Sequence, residues 1–147
     1  MTGITDKGLV DILVAEDNEG DRIIIEQAFK NCERTHRVHF VGDGVEALEF
    51  LKKQNKYKQV PDVKIMILDI NLPRRSGMDV LQEIRNTPEL KHLPIIILTS
   101  SRSYRDVMNF YQNYANCFLT KPIRLNEFND LLKGVIHFWL ELVQLPN

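Results

Sequence analysis

Long hydrophobic runs are missing from this chain of 147 residues. No apolar stretch approaches the roughly 18 residues that a bilayer-spanning helix needs. Met1–Asp11 holds no apolar core of the kind a secretory leader carries, so no signal peptide is expected and a cytoplasmic setting follows. Net charge is nearly absent as well, at -1. Such a balance offers no field to gather nucleic acid or an anionic membrane, and neither is expected as a partner. Cysteine is scarce: Cys32 falls in a helical pattern and Cys117 in a strand, which reads as two buried thiols and not a disulfide framework. Neither common glycine-rich phosphate loop occurs. No serine or cysteine nucleophile motif occurs either. His36, His39, His92 and His137 lack metal-like pairing, and His36 and His39 flank a strand start.

What remains is the composition of one globular domain, 44% apolar and 27% charged, long enough to bury a core without staples. Strand and helix patterns alternate from end to end, which predicts a parallel sheet with helices on both faces. Val10–Ala15 is an apolar strand ending in Glu16-Asp17. From Glu19 to Cys32, Ile25, Ala28, Phe29 and Cys32 recur at helical spacing. Val38–Val41 reads as a short strand. Asp43 caps a helix carrying Val45, Leu48 and Leu51. Lys52–Val60 is a polar surface excursion. Val63–Leu68 is a central strand ending in Asp69, and Ser76-Gly77 opens a helix that Thr87-Pro88 closes. Pro94–Leu98 is a strand ending in Thr99-Ser100. Arg105–Tyr114 is an aromatic-rich helix. Cys117–Leu119 leads into Thr120-Lys121-Pro122, and a last helix runs from Leu125 to about Val143. Five βα units fill 1–147, leaving no room for a second domain.

Acid pair, acid, hydroxyl and amine therefore stand at four strand ends, the edge where open α/β sheets bind ligands. Glu16, Asp17 and Asp69 would repel one another unless a cation neutralised them. Mg²⁺ fits, since it takes one or two carboxylates plus waters and phosphate oxygens. The main-chain carbonyl of Asn71 is placed to complete its shell. Asp69, already ionised at neutral pH, is a nucleophile of the kind that forms an acyl phosphate. Lys121 and Thr99 are available to meet the oxygens of a transferred phosphoryl group.

These residues resemble the receiver domain of two-component response regulators. The likeness rests on Ile12–Asp17, Asp43–Leu48, Ile67–Pro73, Ser76-Gly77, Pro94–Thr99 and Leu119–Pro122. It implies a flavodoxin-like, doubly wound five-stranded parallel sheet in the order 2-1-3-4-5. It implies Asp69 as phosphoacceptor, with Glu16, Asp17, Asp69 and the carbonyl of Asn71 around Mg²⁺ or Mn²⁺. Thr99 and Lys121 would contact the phosphoryl group. Thr99 and Phe118 would form the switch, and Lys121-Pro122 would be a cis peptide. The family catalyses only its own aspartyl phosphorylation and dephosphorylation. The insertion Lys52–Val60 and the ending His137–Glu141 with Leu145-Pro146 are similar to small regulators paired with bacteriophytochromes. That likeness implies a phytochrome-like sensor histidine kinase, a downstream protein the sequence does not name, and a dimer through the last helices. The tail 137–147, with Phe138, Trp139 and Leu142, reads either as a cover for the core or as an exposed patch for self-association. Two other functions compete. An Asp-nucleophile phosphohydrolase or phosphotransferase usually carries a second Asp two residues on, where this chain has Asn71. A degenerate receiver acting as a constitutive dock is at odds with the retained Glu16, Asp17, Asp69, Thr99 and Lys121.

Overall fold

The computed structural model describes residues 8–146; most of Met1–Asp11, where no leader was expected, lies outside the described residues. Five parallel strands form one sheet in the order β2-β1-β3-β4-β5. They are β1 (Val10–Ala15), β2 (His36–Val41), β3 (Ile65–Leu68), β4 (Ile95–Thr99) and β5 (Cys117–Thr120). Between and after them run α1 (Glu19–Lys30), α2 (Gly44–Lys52), α3 (Gly77–Arg85), α4 (Tyr104–Gln112) and α5 (Leu125–Ile136). The order 2-1-3-4-5 is the one expected. Among the described residues no helix is long and apolar enough to cross a membrane.

The three central strands are apolar because both of their faces are covered. Leu13, Met66 and Ile97 point into a core shared with Leu48, Leu81 and Ile84 of α2 and α3. Ile12, Ile67 and Ile96 point the other way, into a core with Ile25, Phe29, Phe128 and Leu132 of α1 and α5. Alternate side chains of a strand face opposite ways, so one run of isoleucines and leucines feeds both cores. The helices begin where short polar side chains accept from the first turn. Asn18, Asp43, Ser76 and Ser103 accept from Asp21, Glu46, Asp79 and Asp106 respectively.

Three local readings change. β2 begins at His36 rather than Val38, because His36 and Arg37 pair with Val10 and Asp11 of β1; His39 further along donates to the Asp11 carboxylate at 2.9 Å. Asp11 is a buried carboxylate in β1 that also takes the Arg37 guanidinium at 2.8 Å. The excursion after α2 is anchored: Lys53 and Asn55 adopt positive φ, and Tyr57 donates to Glu46 at 2.7 Å. The last helix does not run on to Val143 as α-helix. It widens at His137–Leu142 into a π-helix, closed by the Val143 amide on the Phe138 carbonyl. Every fourth residue from Phe128 through Leu132 and Ile136 to Leu140 is buried, a spacing that the wider turn preserves. Arg34 fastens it by donating to the Leu140 carbonyl at 2.8 Å.

The widened turn divides the tail. Leu140 and Leu145 are buried in the α1–α5 core and Trp139 packs against it, whereas Phe138 and Leu142 are exposed. Cys32 and Cys117 are half-buried free thiols.

Candidate functional site

Parallel pairing brings the strand ends together. Ala15 is in register with Leu68, and the Asp69 amide donates to the Ala15 carbonyl at 3.1 Å. Glu16 and Asp69 thereby leave adjacent strands side by side. Thr99 is in register with Thr120, and the Lys121 amide donates to the Thr99 carbonyl at 2.7 Å. Lys121 then reaches back across the sheet edge. Its ammonium donates to Glu16 at 2.6 Å, to Asp21 at 2.8 Å and to Asp69 at 3.2 Å.

Glu16 and Asp69 are buried, whereas Asp17 is exposed. One oxygen from each of the three lies within 4.8 Å of the others. That spacing and an all-carboxylate donor set suit a hard divalent cation. The ammonium lodged between Glu16 and Asp69 already demonstrates that the pocket accepts positive charge. Burial pushes the Glu16 carboxyl up to about 7, against the pull of Lys121 and with added repulsion from Asp69. Burial would lower Lys121, but hydrogen bonds to Asp21 and Glu16 outweigh it and hold the ammonium above the usual lysine range.

Glu16, Asp17, Asp69 and Lys121 converge as expected, and the Asn71 amide donates to Asp69 Oδ1 at 3.3 Å. One detail differs. The Lys121–Pro122 peptide is trans, not cis. The X–Pro amide favours trans by about 0.5–1 kcal/mol, and with the trans bond Lys121 already satisfies all its donors. Thr99 is fully buried and its Oγ1 accepts from the Ser101 amide at 3.5 Å. Phe118 is half-buried, its ring 6.0 Å from Phe110 in edge-to-face contact and its amide bonded to the Tyr111 hydroxyl at 3.2 Å.

Sequence reading missed Asp21. It lies in the first turn of α1, where an acid is routinely explained by the helix dipole, and no spacing rule links it to Lys121. It also missed Asp106, which accepts from the Ser101 hydroxyl at 2.6 Å and so ties the loop after Thr99 to α4.

The profile of the response regulator receiver domain matches residues 12–133. The chain belongs to the response regulator receiver family. It is 36% identical over 135 residues to the response regulator Rcp1 of Synechocystis, covering 92% of this chain and 92% of that one. The crystal structure of the Mn²⁺-bound form of Rcp1 superposes with a TM-score of 0.92 at 36% identity, covering 94% of this receiver and 99% of that chain. The phosphorylated cyanobacterial phytochrome response regulator RcpA superposes equally well, with a TM-score of 0.92 at 34% identity over 95% of this receiver and all of that chain. The bacteriophytochrome response regulator AtBRR follows at 0.71 and 33% identity, over 93% and 99%. Its structural neighbours thus include phytochrome response regulators, within a family of two-component signalling proteins.

Proposed function

We propose that this receiver accepts a phosphoryl group on Asp69 from a phytochrome-like sensor histidine kinase, and passes the signal by altering a protein-binding surface. The observation that carries this reading is the single ammonium shared by Glu16 and Asp69, drawn from opposite ends of the chain. Asp69 Oδ attacks phosphorus, the phosphorus–nitrogen bond of the kinase phosphohistidine breaks, and its electron pair returns to the imidazole. Lys121 donates to a phosphoryl oxygen, and Thr99 turns its hydroxyl toward another. Glu16, Asp17 and Asp69, with the carbonyl of Asn71, would hold Mg²⁺ or Mn²⁺. The ion would supply charge neutralisation that lets an anionic donor approach three carboxylates. The chemistry ends with hydrolysis of its own aspartyl phosphate, and no external metabolite turns over.

Phe118 follows Thr99, and because its ring meets Phe110 and its amide meets Tyr111, the change reaches α4. A downstream protein reads that face. We take residues 1–147 as one receiver unit with 137–147 as its extension, working in the cytoplasm. Exposed Phe138 and Leu142 support self-association through the tail, with Trp139 serving mainly as its inner packing. Sedimentation at several concentrations tests it: Phe138→Ala with Leu142→Ala should shift any dimer to monomer, and a wild-type monomer throughout would reject the dimer.

The decisive test of the main reading is Asp69→Asn. It should abolish labelling by acetyl phosphate and by the kinase, and stoichiometric labelling of the variant would reject Asp69 as the acceptor.

A further inference from the structure

An ammonium has three N–H donors, and all three of those on Lys121 are in use, on Glu16, Asp21 and Asp69. A phosphoryl oxygen can be served only if one carboxylate is given up. The three differ in how easily they can be released. Glu16 is buried and pinned through Oε2 by the Asn18 amide at 3.1 Å, so it cannot turn to water, and losing the ammonium would leave its Oε1 without that donor. Asp69 is itself the phosphoacceptor of the function proposed above. Asp21 stands at the rim, its side chain 25% exposed, and can turn to water. Its backbone cannot follow the lysine, because its amide is fixed to the cap oxygen of Asn18 at 2.9 Å. Asn18 thus fixes both residues: its amide holds the Glu16 carboxylate and its side chain holds the Asp21 backbone amide.

We propose that Asp21 is a positioning residue for Lys121, the partner that the ammonium exchanges for a phosphoryl oxygen. In the resting protein it draws the ammonium toward α1, where its distance to Asp21 is shorter than to Asp69. It therefore competes with any tetrahedral anion on Asp69 and sets how readily the receiver is loaded. This rests on the phosphoacceptor reading, since the exchange presumes an anion at Asp69.

The test is beryllofluoride binding, with Mg²⁺ at saturation, to the full chain and its variants. Asp21→Asn keeps the shape and removes the strong acceptor. It should bind beryllofluoride about tenfold tighter, the scale of one charge-assisted hydrogen bond. Asp21→Ala should match or exceed that, and Asp21→Glu should return toward the wild type. Glu19→Gln removes the same charge from the same helix turn without touching Lys121, so it measures the general electrostatic gain. In the metal-free protein, the ¹⁵N signal of the Lys121 ammonium should exchange faster with water in Asp21→Asn than in the wild type. Equal gains in Asp21→Asn and Glu19→Gln, or weaker binding in Asp21→Asn, would overturn the role of Asp21 while leaving Asp69 in place. A wild type that binds no beryllofluoride and takes no phosphoryl group would instead overturn the reading beneath it.

Discussion

Gly77→Ala isolates how finely Asp69 must be held. Gly77 opens α3, and its amide donates to the Ile70 carbonyl at 2.8 Å, clamping the helix to the end of β3. A methyl group there would stand 2.8 Å from the Ile70 Cα and closer still to the Asp69 carbonyl oxygen. Carbon atoms in contact settle at about 3.5–4.0 Å, so helix and strand end must part by most of an ångström. Both obstacles are backbone, and neither can swing aside. Overpacking of this kind costs about 1–3 kcal/mol. Alanine returns up to about 1 kcal/mol of helix propensity, leaving a net loss of about 0–2 kcal/mol when that return is complete. The functional loss should be larger. A displacement of about 1 Å at reacting groups costs on the order of 100-fold in rate, and the displaced atoms here belong to Asp69, the proposed acceptor. Urea denaturation gives the first quantity. The rate of phosphorylation by phosphoramidate, taken well below the midpoint, gives the second. A variant phosphorylated within twofold of the wild type, at unchanged stability, would refute the close approach as a determinant of Asp69 geometry.

Other outcomes follow from the same contacts. Because Glu16 carries a proton up to about pH 7, a divalent ion must displace it; Mg²⁺ affinity should rise from pH 6 to pH 8 and level off above, read by calorimetry in buffers of different ionisation enthalpy. A pH-independent affinity would remove Glu16 from the metal shell. Asp11 is pushed up by burial but held below the ordinary carboxylate value by Arg37 and His39. Its share of stability is therefore complete above the unfolded value near 3.9 and fades as pH falls through the lower folded value. Asp11→Asn should flatten that acid limb of the unfolding curve, and an unaltered limb would place the acid sensitivity elsewhere. Leu140→Ala should cost about 2–5 kcal/mol as a core cavity, whereas Leu142→Ala should stay within about 0.5 kcal/mol. Equal costs in urea would mean that the π-turn does not separate an inner from an outer tail face.

The strand ends were legible because their signal is local: an apolar run stopped by a charged or hydroxyl residue needs no knowledge of the rest of the chain. Sheet order and the meeting of Glu16, Asp69 and Lys121 came from the family resemblance carried by those runs. What stayed hidden depends on side-chain reach across elements. Asp21 has an ordinary first-turn explanation, Asp106 an ordinary capping one, and only the three-dimensional course of Lys121 and of the Ser101 loop gives them partners. The π-turn was invisible because the apolar residues of 125–143 are dense enough to satisfy spacings of three, four or slightly more. The trans Lys121–Pro122 bond was misread because proline permits either isomer at small cost and its neighbours decide.

One contact bears on how a partner can approach this receiver. β5 is one of the two edge strands, four residues long, and its Phe118 amide is taken by the Tyr111 hydroxyl. A guest strand seeking to extend the sheet there would find too few rungs and one of them already occupied. Recognition on this flank must then proceed through knobs and hollows of side chains, so its specificity is written in α4 residues rather than in the backbone ladder.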